Sequence, residues 1–130
     1  MKRACVLIVE DNALNRRLVR DILEHRGHTI VEACDVAEAR AQLERLTPDL
    51  VLLDVQIPGG GGELVLREIR LDARFAHLPV LAVTALAMPG DERRLLAAGF
   101  SGYLAKPLDT RSFGPVIESF LEPRPGREPG

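Results

Sequence analysis

Five short apolar runs divide the chain: Ala4–Val9, Thr29–Val31 with its flanks, Leu50–Leu53, Val80–Val83 and Tyr103–Ala105. Most are unbroken by polar residues. That pattern suits strands buried on both faces, as in a parallel sheet covered by helices. Between the runs, apolar residues recur at helical spacing. Leu14, Leu18 and Ile22 repeat every four residues, and Val19 and Leu23 widen the same stripe. Asn12 is placed to cap this helix and Gly27 to end it. A second helix is predicted after the cap Asp35, with Val36, Ala39, Leu43 and Leu46 inward and Pro48 as terminator. A third runs from about Gly62 to Asp72 with Leu66 and Ile69 in the core, and a fourth begins near Pro89 and ends at Gly99. The last spans about Asp109 to Leu121.

Five strand-helix alternations predict a three-layer α/β domain with right-handed crossovers. The domain is expected to occupy residues 1–121. The tail 122–130 is rich in Pro, Gly and charge and is expected to be disordered.

Composition narrows the function. A chain of 130 residues fits one domain that folds without staples. The net charge of −2 gives no global attraction to nucleic acid or anionic membrane. Cys5 and Cys34 lack metal-ligand spacing and are read as reduced core thiols. The apolar run after Lys2 and Arg3 stops at Glu10, too short for a signal peptide or a membrane span. A cytoplasmic protein is expected. No helix-turn-helix or other output module follows residue 121, so direct DNA binding is not expected and a stand-alone domain is.

In such folds chemistry collects at the carboxyl edge of the sheet. Run one is followed by Glu10-Asp11, run three by Asp54, run four by Thr84 and run five by Lys106-Pro107. Only run two delivers nothing reactive, and its neighbour Glu32 is read as a solvated strand-end charge. Three carboxylates, a hydroxyl and an ammonium therefore converge on one edge. Two unit charges ~4 Å apart interact by ~4 kcal/mol at an effective dielectric of about 20, so the acids need a cation. Oxygen ligands favour Mg²⁺ or a similar hard ion. A carboxylate beside such an ion can attack a phosphoryl group and form an acyl phosphate. The metal and Lys106 would offset the phosphoryl charge, Thr84 would donate to one oxygen, and the small Ala85 would leave the pocket open.

These residues resemble the receiver domains of two-component response regulators, the CheY-like superfamily. The likeness covers about residues 4–121. It rests on the acidic pair in Val-Glu10-Asp11-Asn, on Leu-Leu-Asp54, on Ile57-Pro58-Gly-Gly-Gly-Gly62, on Val-Thr84-Ala85 and on Gly102-Tyr103-Leu-Ala-Lys106-Pro107. Thirty positions separate Asp54 from Thr84 and 22 separate Thr84 from Lys106, as in the family. The phrase Ala-Met-Pro-Gly-Asp-Glu resembles single-domain cell-cycle (DivK-like) regulators and the receivers of hybrid kinases.

The resemblance implies a flavodoxin-like, doubly wound (βα)5 fold with strand order 2-1-3-4-5. It implies phosphorylation of Asp54 by a histidine kinase or histidine phosphotransfer protein. Mg²⁺ would be held by Asp11, Asp54 and the carbonyl of Gln56 directly, and by Glu10 mostly through water. Lys106 would contact the phosphoryl group, Thr84 would move toward it, and Tyr103 would turn inward as an aromatic switch. Lys106-Pro107 is often cis in the family. The output is a phosphorylation-driven switch, with self-phosphorylation and autodephosphorylation, rather than a turnover enzyme. The bistable element would be the fourth helix and its preceding loop, Leu86–Gly90. A downstream protein would read the face of helix four, strand five and helix five, where Arg93, Arg94, Arg111 and Glu118 are candidate exposed contacts. Asn15, Arg16, Arg17 and Val19 resemble the docking face for a phosphodonor protein; Leu14 shares in it, while Leu18 is expected in the core. A monomer or weak dimer is expected, with neither nucleic acid nor membrane as partner.

Two features depart from the family. In Gly59–Gly62 only Gly62 is expected, and the extra glycines predict a mobile loop; a nucleotide-phosphate cradle is the rival, but no Gly-Lys-Ser/Thr follows. Gln56 and Leu86 flank the pocket at positions that tune phosphate lifetime. Two other functions remain: an aspartate-nucleophile phosphohydrolase, which usually carries a second acid where Gln56 stands, and a flavodoxin-like binding module that is never phosphorylated.

Overall fold

A computed structural model of the protein describes residues 3–85 and 90–121. Its elements are β1 (Cys5–Val9), α1 (Ala13–His25), β2 (Thr29–Ala33), α2 (Val36–Arg45), β3 (Leu50–Asp54), α3 (Gly62–Leu71), a 3₁₀ turn (Ala73–Phe75), β4 (Val80–Thr84), α4 (Asp91–Ala98), β5 (Gly102–Ala105) and α5 (Phe113–Ser119). All strand pairs are parallel, in the order β2-β1-β3-β4-β5. This is the flavodoxin-like order that the resemblance implies. The predicted tail 122–130, the loop residues Leu86–Pro89 and the helix start at Pro89 lie outside the described residues.

Strand alternation builds two cores. Leu7, Val9, Val51, Leu53, Val80 and Ala82 face one side and pack with residues of α2, α3 and α4; Val6, Ile8, Leu50, Leu52, Leu81 and Val83 face the other and pack with α1 and α5. Fully burying one such aliphatic side chain contributes about 1.5–3 kcal/mol, so helix phase follows the sheet rather than the longest apolar repeat.

The phase of α1 corrects the sequence reading. Val19, 5% exposed, and Leu23 form its buried stripe, with Ile22 packed beside them, while Leu14 is 80% and Leu18 42% exposed. Leu18 lies about 100° round the helix from Val19, so the sheet can take one and not the other. Val19 is thus a core side chain rather than a docking residue, and Leu18 is a surface one.

The last helix is also shorter than expected. Asp109 accepts from the backbone N–H groups of Arg111 and Ser112, forming a turn, and regular helix begins only at Phe113. Pro115 explains the delay. It has no N–H to donate and its ring would clash with the carbonyl four residues back, so it is tolerated only in a first turn. Helix α4 likewise begins at Asp91, after Gly90 in the left-handed region, and ends against a left-handed Gly99. Cys5 and Cys34 are free thiols as expected, but both are half-buried at strand ends rather than in the core. Among the described residues no helix is long and apolar enough to cross a membrane.

At the opposite edge of the sheet from Asp54, α5 is tied to α1. Glu118 accepts from Arg26 Nε at 2.8 Å and Nη2 at 2.6 Å. It also accepts from His28 Nε2 at 2.8 Å, and His28 Nδ1 accepts the Ala4 N–H at 3.1 Å. Gly114 makes room for this crossing, since a Cβ there would lie 2.4 Å from Arg26 Cδ. Glu118 is therefore a buried anchor, and its expected place on an exposed docking face is corrected.

The Arg26 guanidinium, with His28, holds the Glu118 carboxyl down at about 2, against an ordinary 4.5. Because the folded value lies below the unfolded one, this anchor's contribution is complete above about pH 4.5 and is lost as pH falls toward 2. Urea unfolding of wild type and Glu118→Gln should show a stability gap that is constant near neutrality and closes across that acid window.

Candidate functional site

Parallel register brings the reactive side chains to one edge. Val9 pairs with Leu53, Asp54 with Val83, and Thr84 with Ala105. Asp54 and Thr84 are the last residues of β3 and β4, while Glu10 and Lys106 directly follow β1 and β5. The ladder continues one step past the strands, with Glu10 N–H donating to Ala33 O at 3.0 Å and Lys106 N–H to Thr84 O at 2.9 Å. Both side chains therefore leave from backbone that the sheet holds. The Lys106-Pro107 peptide bond is cis.

The ammonium of Lys106 bridges the acids, donating to Asp54 Oδ2 at 2.8 Å and lying 3.0 Å from Glu10 Oε1. Each carboxylate takes a backbone donor on its other oxygen: Gln56 N–H on Asp54 Oδ1 at 2.9 Å, and Asn12 N–H on Glu10 Oε2 at 3.1 Å. Burial pushes the Glu10 carboxyl above its ordinary range, and Asp54 adds to this; the Asn12 amide and Lys106 pull the other way. Burial lowers the Lys106 ammonium, but its two carboxylate partners outweigh that and hold it above its usual value.

Asp11 is exposed, and oxygens of Glu10, Asp11 and Asp54 all lie within 4.8 Å of one another. One ammonium faces three carboxylates. An all-oxygen set of this kind, with net negative charge left over, fits a hard divalent cation. Asp54 itself is more enclosed than the exposed Ala85 beside Thr84 implies, with 4% of its surface open to solvent.

The four glycines beside the site have a backbone reason. Gly59, Gly60 and Gly61 have φ of 98°, 129° and 85°, which side chains with a Cβ rarely adopt. Gly62 is excluded from substitution differently, because a Cβ would lie 2.5 Å from the Asp54 carbonyl oxygen. The loop is tied at both ends, by Val36 N–H to Pro58 O and by Gly62 N–H to Val55 O.

Of the other expected residues, Thr84 is buried, and Tyr103 on β5 is 39% exposed with its ring outward. Gln56, Arg93, Arg94 and Arg111 are exposed, Arg94 being paired with Glu63 at 2.7 Å. Asn15 is half-buried, its N–H held by the Asn12 side chain. Arg16 is not an outward docking residue. It turns inward, donating to the Glu10 carbonyl at 2.8 Å and to Glu32 at 3.0 Å. Glu32 is correspondingly no solvated charge, since Arg16 and Arg20 both pair with it. Neither role has a sequence signal, because the partners lie on different elements.

The response regulator receiver domain model matches residues 6–117 of the chain. A polar-differentiation response regulator, DivK, of Brucella anthropi is 40% identical over 116 residues, covering 89% of this chain and 94% of that one. The chemotaxis response regulator CheY4 of Vibrio cholerae superposes with a TM-score of 0.86 at 26% identity, over 92% of this chain and all of that one. The receiver domain of the sensor histidine kinase PA1611 of Pseudomonas aeruginosa, with a magnesium ion coordinated in its active-site cleft, gives 0.82 at 30% identity, over 92% and 98%.

Removing one repelling charge should stabilise the fold. Asp54→Asn is expected to raise the melting temperature at low salt without divalent ions by a few degrees, the equivalent of about 1 kcal/mol. Lys106→Ala should lower it. Both effects should shrink in about 1 M salt, where screening reaches about 3 Å; calorimetry of wild type and the two variants at low and high salt reads them. Gly62→Ala should cost about 1–3 kcal/mol in urea unfolding, because the backbone at Asp54 must shift to admit the methyl group.

Proposed function

Because the chain belongs to the response regulator receiver domain family, we propose that it accepts a phosphoryl group on Asp54 from a phosphohistidine and relays the change to a protein partner. The observation that carries this reading is the Lys106 ammonium held between Asp54 and Glu10, beside the exposed carboxylate of Asp11.

In the transfer, an Asp54 carboxylate oxygen attacks phosphorus as the phosphorus–nitrogen bond of the donor breaks. The electron pair leaves with the imidazole nitrogen, and an acyl phosphate remains on Asp54. Reversal to carboxylate takes one water, which attacks phosphorus and releases inorganic phosphate. Both Asp54 oxygens carry hydrogen bonds in this structure, so Lys106, a quarter exposed, moves from the carboxylate to the arriving phosphoryl oxygens. The Thr84 hydroxyl then donates to another of those oxygens. A Mg²⁺ ion held by Glu10, Asp11, Asp54 and the Gln56 carbonyl would neutralise the surplus carboxylate charge and polarise the phosphoryl group.

Readout follows from the sheet. Thr84 ends β4 and pairs with Ala105 of β5, two residues from Tyr103. A shift of Thr84 toward the phosphoryl group frees space behind it, and the outward Tyr103 ring turns to fill it, changing the face of α4, β5 and α5 where Arg93, Arg94 and Arg111 lie. The phosphodonor protein docks on α1, where Leu14 and Leu18 present exposed apolar surface beside Arg17. We place this exchange in the cytoplasm, with the protein acting as a switch rather than as a turnover enzyme.

Intact-mass measurement after incubation with Mg²⁺ and acetyl phosphate should show one added phosphoryl group, absent in Asp54→Asn and absent when the metal is chelated. Persistence of the adduct in Asp54→Asn, or no adduct in wild type under conditions where beryllofluoride also fails to bind, contradicts the reading.

A further inference from the structure

We propose that Arg16 and Glu32 form a positioning pair that sets the Glu10–Asp11 turn for divalent-cation binding; this rests on the reading of the acidic cluster as a cation site. The Glu10 carbonyl oxygen belongs to the peptide plane joining Glu10 to Asp11. Fixing that oxygen fixes the plane, and with it the directions in which both carboxylates leave the backbone. Two bonds hold the plane's surroundings. Glu10 N–H donates to Ala33 O of β2 at 3.0 Å, and the Glu10 carbonyl accepts from Arg16 Nη1 at 2.8 Å.

Arg16 is itself held. Its Nε donates to Glu32 Oε1 at 3.0 Å, and Glu32 sits on β2 opposite Ile8 of β1. The other Glu32 oxygen is paired with Arg20, one turn further along α1. The Arg16 backbone is fixed in the first turn of α1, where its N–H donates to Asn12 O at 2.9 Å. One guanidinium thus spans from a strand carboxylate to the carbonyl of the acidic turn. Its planar fork of donors allows this, and a lysine ammonium, a single point charge, cannot reproduce both contacts. The Arg16 guanidinium donates to Glu32 and to the Glu10 carbonyl rather than to the Glu10 or Asp11 carboxylate, so it acts through the backbone between those two acids.

Charge and geometry make opposite predictions for this residue. If Arg16 acted only as a nearby cation, it would compete with a divalent ion, and Arg16→Ala would tighten binding while Arg16→Lys would leave it unchanged. If it positions the turn, both variants weaken binding. Groups that orient metal ligands typically change affinity by 10–100-fold when removed.

The test is calorimetric titration of Mg²⁺ into wild type, Arg16→Lys, Arg16→Ala, Glu32→Gln, the Arg16→Ala/Glu32→Gln double variant and Asp54→Asn, each first shown folded by circular dichroism. About tenfold weaker binding is expected for both Arg16 variants. Glu32→Gln should give a smaller loss, with no further loss when combined with Arg16→Ala. Wild-type affinity in Arg16→Lys, or tighter binding in Arg16→Ala, overturns the positioning role while leaving the cation site intact. If Arg16→Ala does not fold, Arg16→Lys and Glu32→Gln decide alone. Absence of Asp54-dependent Mg²⁺ binding in wild type overturns both this role and the reading it rests on.

Discussion

Repulsion among carboxylates that the sheet forces together is the constraint on which the rest of this structure depends. Parallel register leaves no freedom in the matter: adjacent strands end at the same level, so Glu10 and Asp54 meet whatever their charges prefer. Lys106 relieves part of the conflict by standing between them, and two backbone amides take the remaining oxygens. The exposed Asp11 is left over, and with it a surplus of negative charge beside the two buried carboxylates. An all-oxygen set with this surplus fits a hard divalent cation, which is the premise of the proposed function.

The same sheet explains how a local event at Asp54 could be felt elsewhere. Asp54, Thr84 and Lys106 leave three neighbouring strands, and Lys106 is bonded through its backbone to Thr84. β3 and β4 are buried along their whole length, whereas β5 alternates half-buried and exposed positions at the edge. The sheet edge nearest Thr84 is β5, which carries the Tyr103 ring. At the amino end of the strands, away from Asp54, Glu118 holds α5 to Arg26 and His28. One end of the domain is therefore anchored while the other carries the chemistry.

Sequence alone made the strands and the reactive edge legible, because both depend on local rules. Short apolar runs mark buried strands, and the residue following each run must lie at the carboxyl edge. Glu10, Asp11, Asp54, Thr84 and Lys106 were readable for this reason. What could not be read was set by contacts between distant segments. The repeat of Leu14, Leu18 and Ile22 with Val19 and Leu23 reads as one broad stripe that leaves Leu18 in the core, but Val19 and Leu23 match the sheet better and decide the phase. Arg16 and Glu118 looked like surface charges because their partners, Glu32 and the Glu10 carbonyl for one and Arg26 and His28 for the other, are brought near only by folding. The glycine run carries no side chain to show which backbone it takes; three of its members adopt left-handed backbone and the fourth abuts a carbonyl.

The central claim, that the three acids at this edge share one divalent cation, is tested most directly by diffraction from crystals grown with Mn²⁺, whose anomalous signal locates the ion without bias. One strong peak in contact with carboxylate oxygens of Asp11 and Asp54, beside Lys106, is the result expected. A well-diffracting crystal with no peak there, or with the ion held only at other acidic residues, would contradict the account.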